Sequence, residues 1–457
     1  MKKKTGLFQL ITLALSAVIS LKSLPLFAET GFSLIFFLII AMLLFFIPIS
    51  MVLAELNSTW PSKGGCYIWL KKAYGESVAF FVMWSYWMQS IIWFPTILSF
   101  IMAMLAYTLS PILPNLNNNI MFYIIGIIFI FFILTYINLY GLKTSAVFSS
   151  VGIILGTILP TILIIFFGIK WIINGNKINI LMDFNTFIPA LNPENLVFFA
   201  GILLGISGIE VISFHSTHVE KPAVNIPKAI ITSSVLIFFI YILGSLSIAI
   251  VIPKNDICLA SGIIQALKIF FVKNNIIYIT PFISFFLLIG SISSMNTWIM
   301  GPIKGIHATN KDHFLPHFFK KVNKNKAPIN LLITQAIIGS AISIIFSIFI
   351  DNINGLIWIF TCLAFQFASI FYIMLFLSVI KLRKKYPNKI RIYTVPYVKL
   401  ISLLGILICV FTFITSYTQP ININIINKNF YFLLLSISFV LLTLPALIFI
   451  KLKQRKT

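Results

Sequence analysis

Charge is scarce in this chain, and acidic charge scarcest. Of its 457 residues only 9% are Asp, Glu, Lys or Arg, ten of them acidic, while 60% are hydrophobic. An ordinary soluble globule is excluded by that balance. The four cysteines, Cys66, Cys258, Cys362 and Cys409, have no paired spacing. They predict isolated small apolar residues, with neither a disulfide framework nor a metal site. An intramembrane enzyme would need a convergent catalytic set, and the sequence has no His/Asp/Glu cluster, nucleophile elbow or nucleotide loop. No catalytic activity and no cofactor are expected. The start, MKKKTGLFQLITLAL, is basic like a secretory signal, but lacks a small-residue cleavage site and runs straight on to a second apolar segment. No cleaved leader is expected.

What the chain has instead is long apolar runs. A membrane span needs about 20 residues, and about twelve runs of that kind are present. They cover roughly residues 7–27, 32–53, 77–107, 120–136 and 146–171, a sixth within Asn195–Ile230, then 229–252, 278–300, 330–350, 356–382, 398–417 and 430–450. An outer segment, Ile257–Phe271, has helical apolar spacing but is shorter than a span, which predicts a surface helix. The expected fold is an all-α integral membrane protein, one transmembrane domain over residues 1–457. The net charge of +23 raises a nucleic-acid partner, and its placement rejects it. With both termini in the cytoplasm, 26 of the 33 Lys and Arg fall on the cytoplasmic side. Six fall opposite (Lys170, Lys177, Lys254, Lys268, Lys273, Lys428), and Lys22 is left within the membrane. That asymmetry follows the positive-inside rule. The partner it implies is the lipid bilayer, with some attraction to anionic lipid.

Two spans are interrupted. Span 6 reads Gly205, Ile206, Ser207, Gly208, Ile209, Glu210 where other spans carry Leu, Ile and Phe. Glycine and serine weaken a helix where nothing outside it replaces lost backbone hydrogen bonds. An ionised carboxylate at mid-span costs about 2.5–3.5 kcal/mol on insertion scales. Broken backbone lining a polar cavity accounts for both features. Tight helix packing accounts for the glycines alone. Span 1 is likewise interrupted by Ser16, Ala17 and Ser20, then Lys22 and Pro25. Matching breaks in two halves point to an inverted-repeat transporter. Helices 1–5 (about 7–171) would repeat, inverted, as helices 6–10 (about 195–382), with helices 11 and 12 (about 398–450) outside the repeat.

Four stretches carry a resemblance. Phe27–Leu56 (FAETGFSLIFFLIIAMLLFFIPISMVLAEL), Ile209–Ile230 (IEVISFHSTHVEKPAVNIPKAI), Ser247–Gln265 (SIAIVIPKNDICLASGIIQ) and Trp298–Gln335 (WIMGPIKGIHATNKDHFLPHFFKKVNKNKAPINLLITQ) resemble the bacterial glutamate/GABA antiporters. That group belongs to the amino acid–polyamine–organocation superfamily, and the likeness runs in register over nearly the whole chain. It implies a 12-helix, five-plus-five inverted repeat that carries amino acids by alternating access, often as exchange. The breaks at Ser16–Ser20 and Gly205–Glu210 fall where the family binds the amino acid backbone, with half-helix N-termini offered to its carboxylate. Gln89, Ser294 and Tyr372 fall in the family's pocket region, and His215 and Pro222 match as well.

The chain also departs from that group. Lys22 and Ser23 stand where those antiporters carry a tyrosine and then a glutamate, Ser294 replaces an acid, and Ala368 a tyrosine. Only KLKQRKT follows span 12, so the plug that closes their cytoplasmic path at neutral pH is not expected. The expected substrate-binding residues are Ser16, Ala17, Ser20, Gln89, Gly205, Ser207, Gly208, Glu210, Ser294 and Tyr372, together with Lys22, which departs from the family. Lys22 reads three ways: a snorkelling lysine, a partner of a substrate carboxylate, or a partner of Glu210. In some superfamily members a membrane lysine replaces sodium, which implies Na⁺-independent transport. Glu210 is a proton carrier or a structural acceptor. His215 and His218, three apart on one face, suit a pH-sensitive gate or a hydrogen-bonded interface and lack a third ligand for metal. Glu29 and Glu55, at span ends, are expected to be solvated, Glu220 and DHFLP (Asp312–Pro316) to be loop structure, and the span 3 aromatics to pack, with one or two capping the pocket. The expected protein is an amino acid exchanger of the bacterial inner membrane, taking glutamate or a related acidic or neutral amino acid, and a possible homodimer. A sensor or an H⁺-coupled permease of the same fold is the alternative.

Overall fold

The computed structural model describes residues 6–61, 64–116, 119–139, 152, 154–210, 220, 222–325, 327–350, 352–421, 423 and 427–455. Every regular element among them is helical, and ten helices are long and apolar enough to cross a membrane. Two further segments are broken. The first divides into α1 (Leu7–Val18) and α2 (Ser23–Ala28). The continuous helices that follow are α3 (Gly31–Thr59), which carries a π-turn at Met42–Phe46, and, after a short α4 (Cys66–Tyr74), α5 (Glu76–Leu109). Next come α6 (Ile120–Leu139) and α7 (Leu159–Ile173). The second broken segment shows α8 (Phe198–Ile206). Then follow α9 (Pro222–Ala249), the short α10 (Gly262–Lys273), α11 (Thr280–Ala308), α12 (Ile329–Phe349), α13 (Ile353–Lys385), α14 (Val398–Thr415) and α15 (Lys428–Gln454).

Helices α5 and α13 form the centre, each 72% buried over its most apolar window, whereas α15 is only 11% buried. On α6, Met121, Ile125, Phe129 and Ile133 are exposed at four-residue spacing, an apolar stripe of the kind that meets lipid. Small residues set the closest crossings. A Cβ on Gly156, in the π-turn before α7, would come within 2.3 Å of Gly290 on α11. One on Gly201 or Gly205 of α8 would strike Leu26 or Phe27 of α2 at 2.4 or 2.5 Å. Tight packing is therefore what Gly205 provides, and the helix breaks two residues later.

Several expectations are corrected here. The outer segment is no exposed surface helix: α10 starts at Gly262 and buries Ile263, Ile264, Leu267, Phe270 and Phe271, with Gly262 against Pro25 of α2. The loop after span 2 contains a helix, α4. Glu55 is not solvated but fully buried, accepting from Arg383 Nε at 2.9 Å and Nη2 at 2.5 Å and from the Val395 N–H at 2.7 Å. Arg391 completes the cluster at 3.4 Å. Charges withdrawn from water persist only in such paired, hydrogen-bonded sets. Glu29 is buried too; the loss of water pushes its carboxyl up to about 8, with Lys254 partly opposing. The DHFLP stretch is pinned: Asp312 accepts from Tyr67 and from Lys71 at 2.5 Å, and Phe314 stacks on Phe80 at 4.6 Å.

Candidate functional site

Both breaks are places where the backbone leaves the helix at residues that tolerate it. Helix α1 ends at Ile19, in extended conformation (φ −71°, ψ 118°), and α2 resumes only at Ser23. Ser16 and Ala17 thus lie within helical backbone, and the break falls at residues 19–22 rather than at Ser16–Ser20. Helix α8 ends at Ser207 (φ −74°, ψ 166°), followed by Gly208 at φ +123°, a value that side-chain-bearing residues rarely adopt.

The orphaned backbone groups at the two breaks share one partner. The Tyr241 hydroxyl, from α9, accepts from Ser20 N–H at 3.1 Å and lies 2.8 Å from the Val18 carbonyl and 2.9 Å from the Gly205 carbonyl. It is fully buried and packs edge-on against Phe27 at 4.9 Å. Nothing in the sequence singled it out. The N–H groups of Ser23 and Leu24 are bonded to the carbonyls of Ser20 and Leu21, so they are not free for a ligand as expected.

Between the breaks lies a small cavity. Ser20 and Ser23 line it from the first break, Gly205 and Ser207 from the second, Gln89 from α5 and Ser294 from α11. Trp93, one of the span 3 aromatics expected to cap the pocket, and Trp298, which the sequence reading did not select, complete the wall with ring centroids 5.6 Å apart. Gln89 Oε1 is buried and has no hydrogen-bond partner among the described residues. The arrangement offers hydroxyls, an amide and broken backbone to a small zwitterion, with indole faces for its apolar part.

Glu210 and Tyr372 are not on that wall. The buried Glu210 carboxylate accepts from the Gly208 N–H at 3.2 Å and from the Tyr372 hydroxyl at 2.9 Å, and Tyr86 also interacts with it. This cluster ties the second break to α13. Lys22 does not pair with Glu210. It donates to Thr96 Oγ1 at 2.7 Å, lies 4.8 Å from the Trp93 ring and lines a second small cavity. His215 and His218 lie outside the described residues. The expected pocket residues Ser20, Gln89, Gly205, Ser207 and Ser294 thus converge from four segments, and Gly208 supplies the turn beside them.

The sequence profile of the family described as "Amino acid permease" matches residues 6–442. An uncharacterized transporter of Legionella pneumophila is 37% identical over 432 residues, covering 93% of this chain and 92% of that protein. A glutamate/gamma-aminobutyrate antiporter of Lactococcus lactis is 27% identical over 464 residues, covering 100% and 92%. A branched-chain amino acid permease of Bacillus subtilis is 24% identical over 440 residues, covering 90% and 87%. With a match over nearly its whole length, this chain, a multi-pass membrane transporter and not an enzyme, belongs to the amino acid permease family.

Proposed function

We propose that this protein exchanges amino acids, glutamate or a related acidic or neutral one, across a bacterial inner membrane. The observation that carries the reading is the cavity held between two broken helical segments. Secondary transporters bind their solute near the midplane in this way and alternate access by rocking around it. The likeness to antiporters supports exchange over one-way uptake. In this reading twelve helices cross the membrane with both termini in the cytoplasm, and five-helix halves form an inverted repeat followed by α14 and α15. Ser20, Gln89, Gly205, Ser207 and Ser294 hold the substrate backbone. The Glu210–Tyr372 contact closes the path beneath it, and the outer face closes over α2 and α10. Transport needs no Na⁺, since Lys22 already supplies a fixed cation beside the site.

A buried carboxylate next to the break also suits H⁺-coupled uptake, so the test must separate the two. Proteoliposomes holding the full chain are preloaded with single unlabelled amino acids, and entry of labelled glutamate or glutamine is followed without Na⁺. Exchange predicts entry only when a specific internal amino acid is present. Entry into empty vesicles driven by an imposed proton gradient would replace exchange with H⁺ coupling. Absence of flux for every amino acid tried would leave a sensor.

A further inference from the structure

The two cavities share a wall. The second shares Ser23, Trp93, Leu204 and Gly205 with the first and continues along α5 toward Thr96. From Gln89 to Thr96 is two helical turns, about 10 Å at 1.5 Å per residue. Beyond the shared wall the lining is mostly apolar, with Leu26, Leu259 and Ile357. Lys22 brings its amine into this compartment. An ammonium in such surroundings costs several kcal/mol unless an opposite charge meets it. Yet among the described residues Lys22 makes no ion pair.

Its neighbours hold it ready. Thr96 Oγ1 donates to the Trp93 carbonyl at 2.7 Å, which leaves its lone pairs to accept from the Lys22 ammonium. The Trp93 ring, 4.8 Å away, favours the cation without neutralising it. Lysine carries three donors, and Thr96 engages one. The position itself follows from the break: Lys22 is the last residue before α2 resumes, so its stem leaves the chain where the helix is open.

We propose that Lys22, set by Thr96 and Trp93, forms an anion subsite in the second cavity, and that it takes the side-chain carboxylate of a dicarboxylic amino acid. The inference rests on the transport reading of the first cavity, which holds the backbone end of the same molecule. Trp93 stands one turn, about 6 Å, beyond Gln89, a gap that an extended acidic side chain bridges. A small inorganic anion such as chloride satisfies the same chemistry and must be distinguished.

The test compares glutamate with glutamine, near-isosteres that differ in charge at that end. Each is used to inhibit exchange in one set of proteoliposomes, in chloride and in gluconate, and to protect the purified full chain against thermal unfolding in detergent. The wild type should favour glutamate by tenfold or more in either salt. Lys22→Met should erase that preference, Lys22→Arg should keep part of it, and Thr96→Val should reduce it. Because both ligands are read on one preparation, loss of folded protein cancels from the ratio. A preference that survives Lys22→Met, or none in the wild type, overturns the subsite while leaving exchange of neutral amino acids intact. Exchange of glutamate and glutamine alike that requires chloride, with the requirement gone in Lys22→Met, assigns the subsite to the inorganic ion and overturns the carboxylate. Lys22-dependent protection by glutamate without exchange of any amino acid overturns the transport reading and supports the subsite.

Discussion

Removing one oxygen atom tests how the two breaks are held. Tyr241→Phe keeps the ring and its edge contact with Phe27, so no cavity opens, and deletes only the hydroxyl. That hydroxyl serves Ser20 N–H at 3.1 Å and the Val18 and Gly205 carbonyls at 2.8 and 2.9 Å. A hydroxyl has one hydrogen, so at any instant two bonds are made, one accepted and one donated. Each buried polar group left unpaired costs about 1–3 kcal/mol. Val18, Ser20 and Gly205 all border the cavity, where water can replace part of the loss, so the sum falls toward the lower end, about 2–3 kcal/mol. Thermal unfolding of the purified chain in detergent should move down by several degrees relative to wild type and to Tyr278→Phe, an exposed control. Because the same groups shape the substrate cavity, apparent affinity in exchange should fall at least tenfold. A melting temperature within a degree of wild type together with unchanged affinity would refute the hydroxyl as the shared support of both breaks.

Gly208→Leu places a side chain at φ +123°, at a cost of about 1–3 kcal/mol, and should abolish exchange while membrane insertion persists; full exchange would show that the second break can be moved. Glu55→Gln strips the charge that two arginines share, and breaking such a buried set costs about 3–5 kcal/mol, visible as early aggregation on heating in detergent. Stability equal to wild type would mean that water already compensates the cluster. The Glu29 carboxyl is raised from 4.5 to about 8, so its ionisation disfavours the folded state, and stability is lost progressively as pH rises from the unfolded value to about 8. Melting temperature should therefore fall between about pH 5 and 8 and level off above, and Glu29→Gln should flatten the profile; an unchanged slope would assign it to other groups.

Much of the architecture follows from local chemistry. Run length and composition were enough for a membrane protein, since a bilayer admits only backbone that bonds to itself, and the observed helix ends lie within a few residues of most predicted ones. Glycine, serine and a stray lysine marked both broken segments. The first break was placed about three residues early, because Ser16 and Ala17 are small but compatible with a helix, and only the chain's path shows which residue leaves it. Ser207 was legible as a polar residue in an apolar span, and the family resemblance implied Gln89 and Ser294. What joins them was not. Tyr241 is 221 residues from Ser20, and Thr96 is 74 from Lys22, so no periodicity or spacing connects them. Glu55 looked like an ordinary span-end carboxylate because its guanidinium partner Arg383 lies 328 residues away. Sequence alone determined the solvent, the helices and the weak points in them. Tertiary packing decided which polar groups satisfy one another across the bundle, since hydrogen bonds and ion pairs depend on distance in space, and that leaves a cavity between the breaks with the Lys22 amine held by Thr96 beside it.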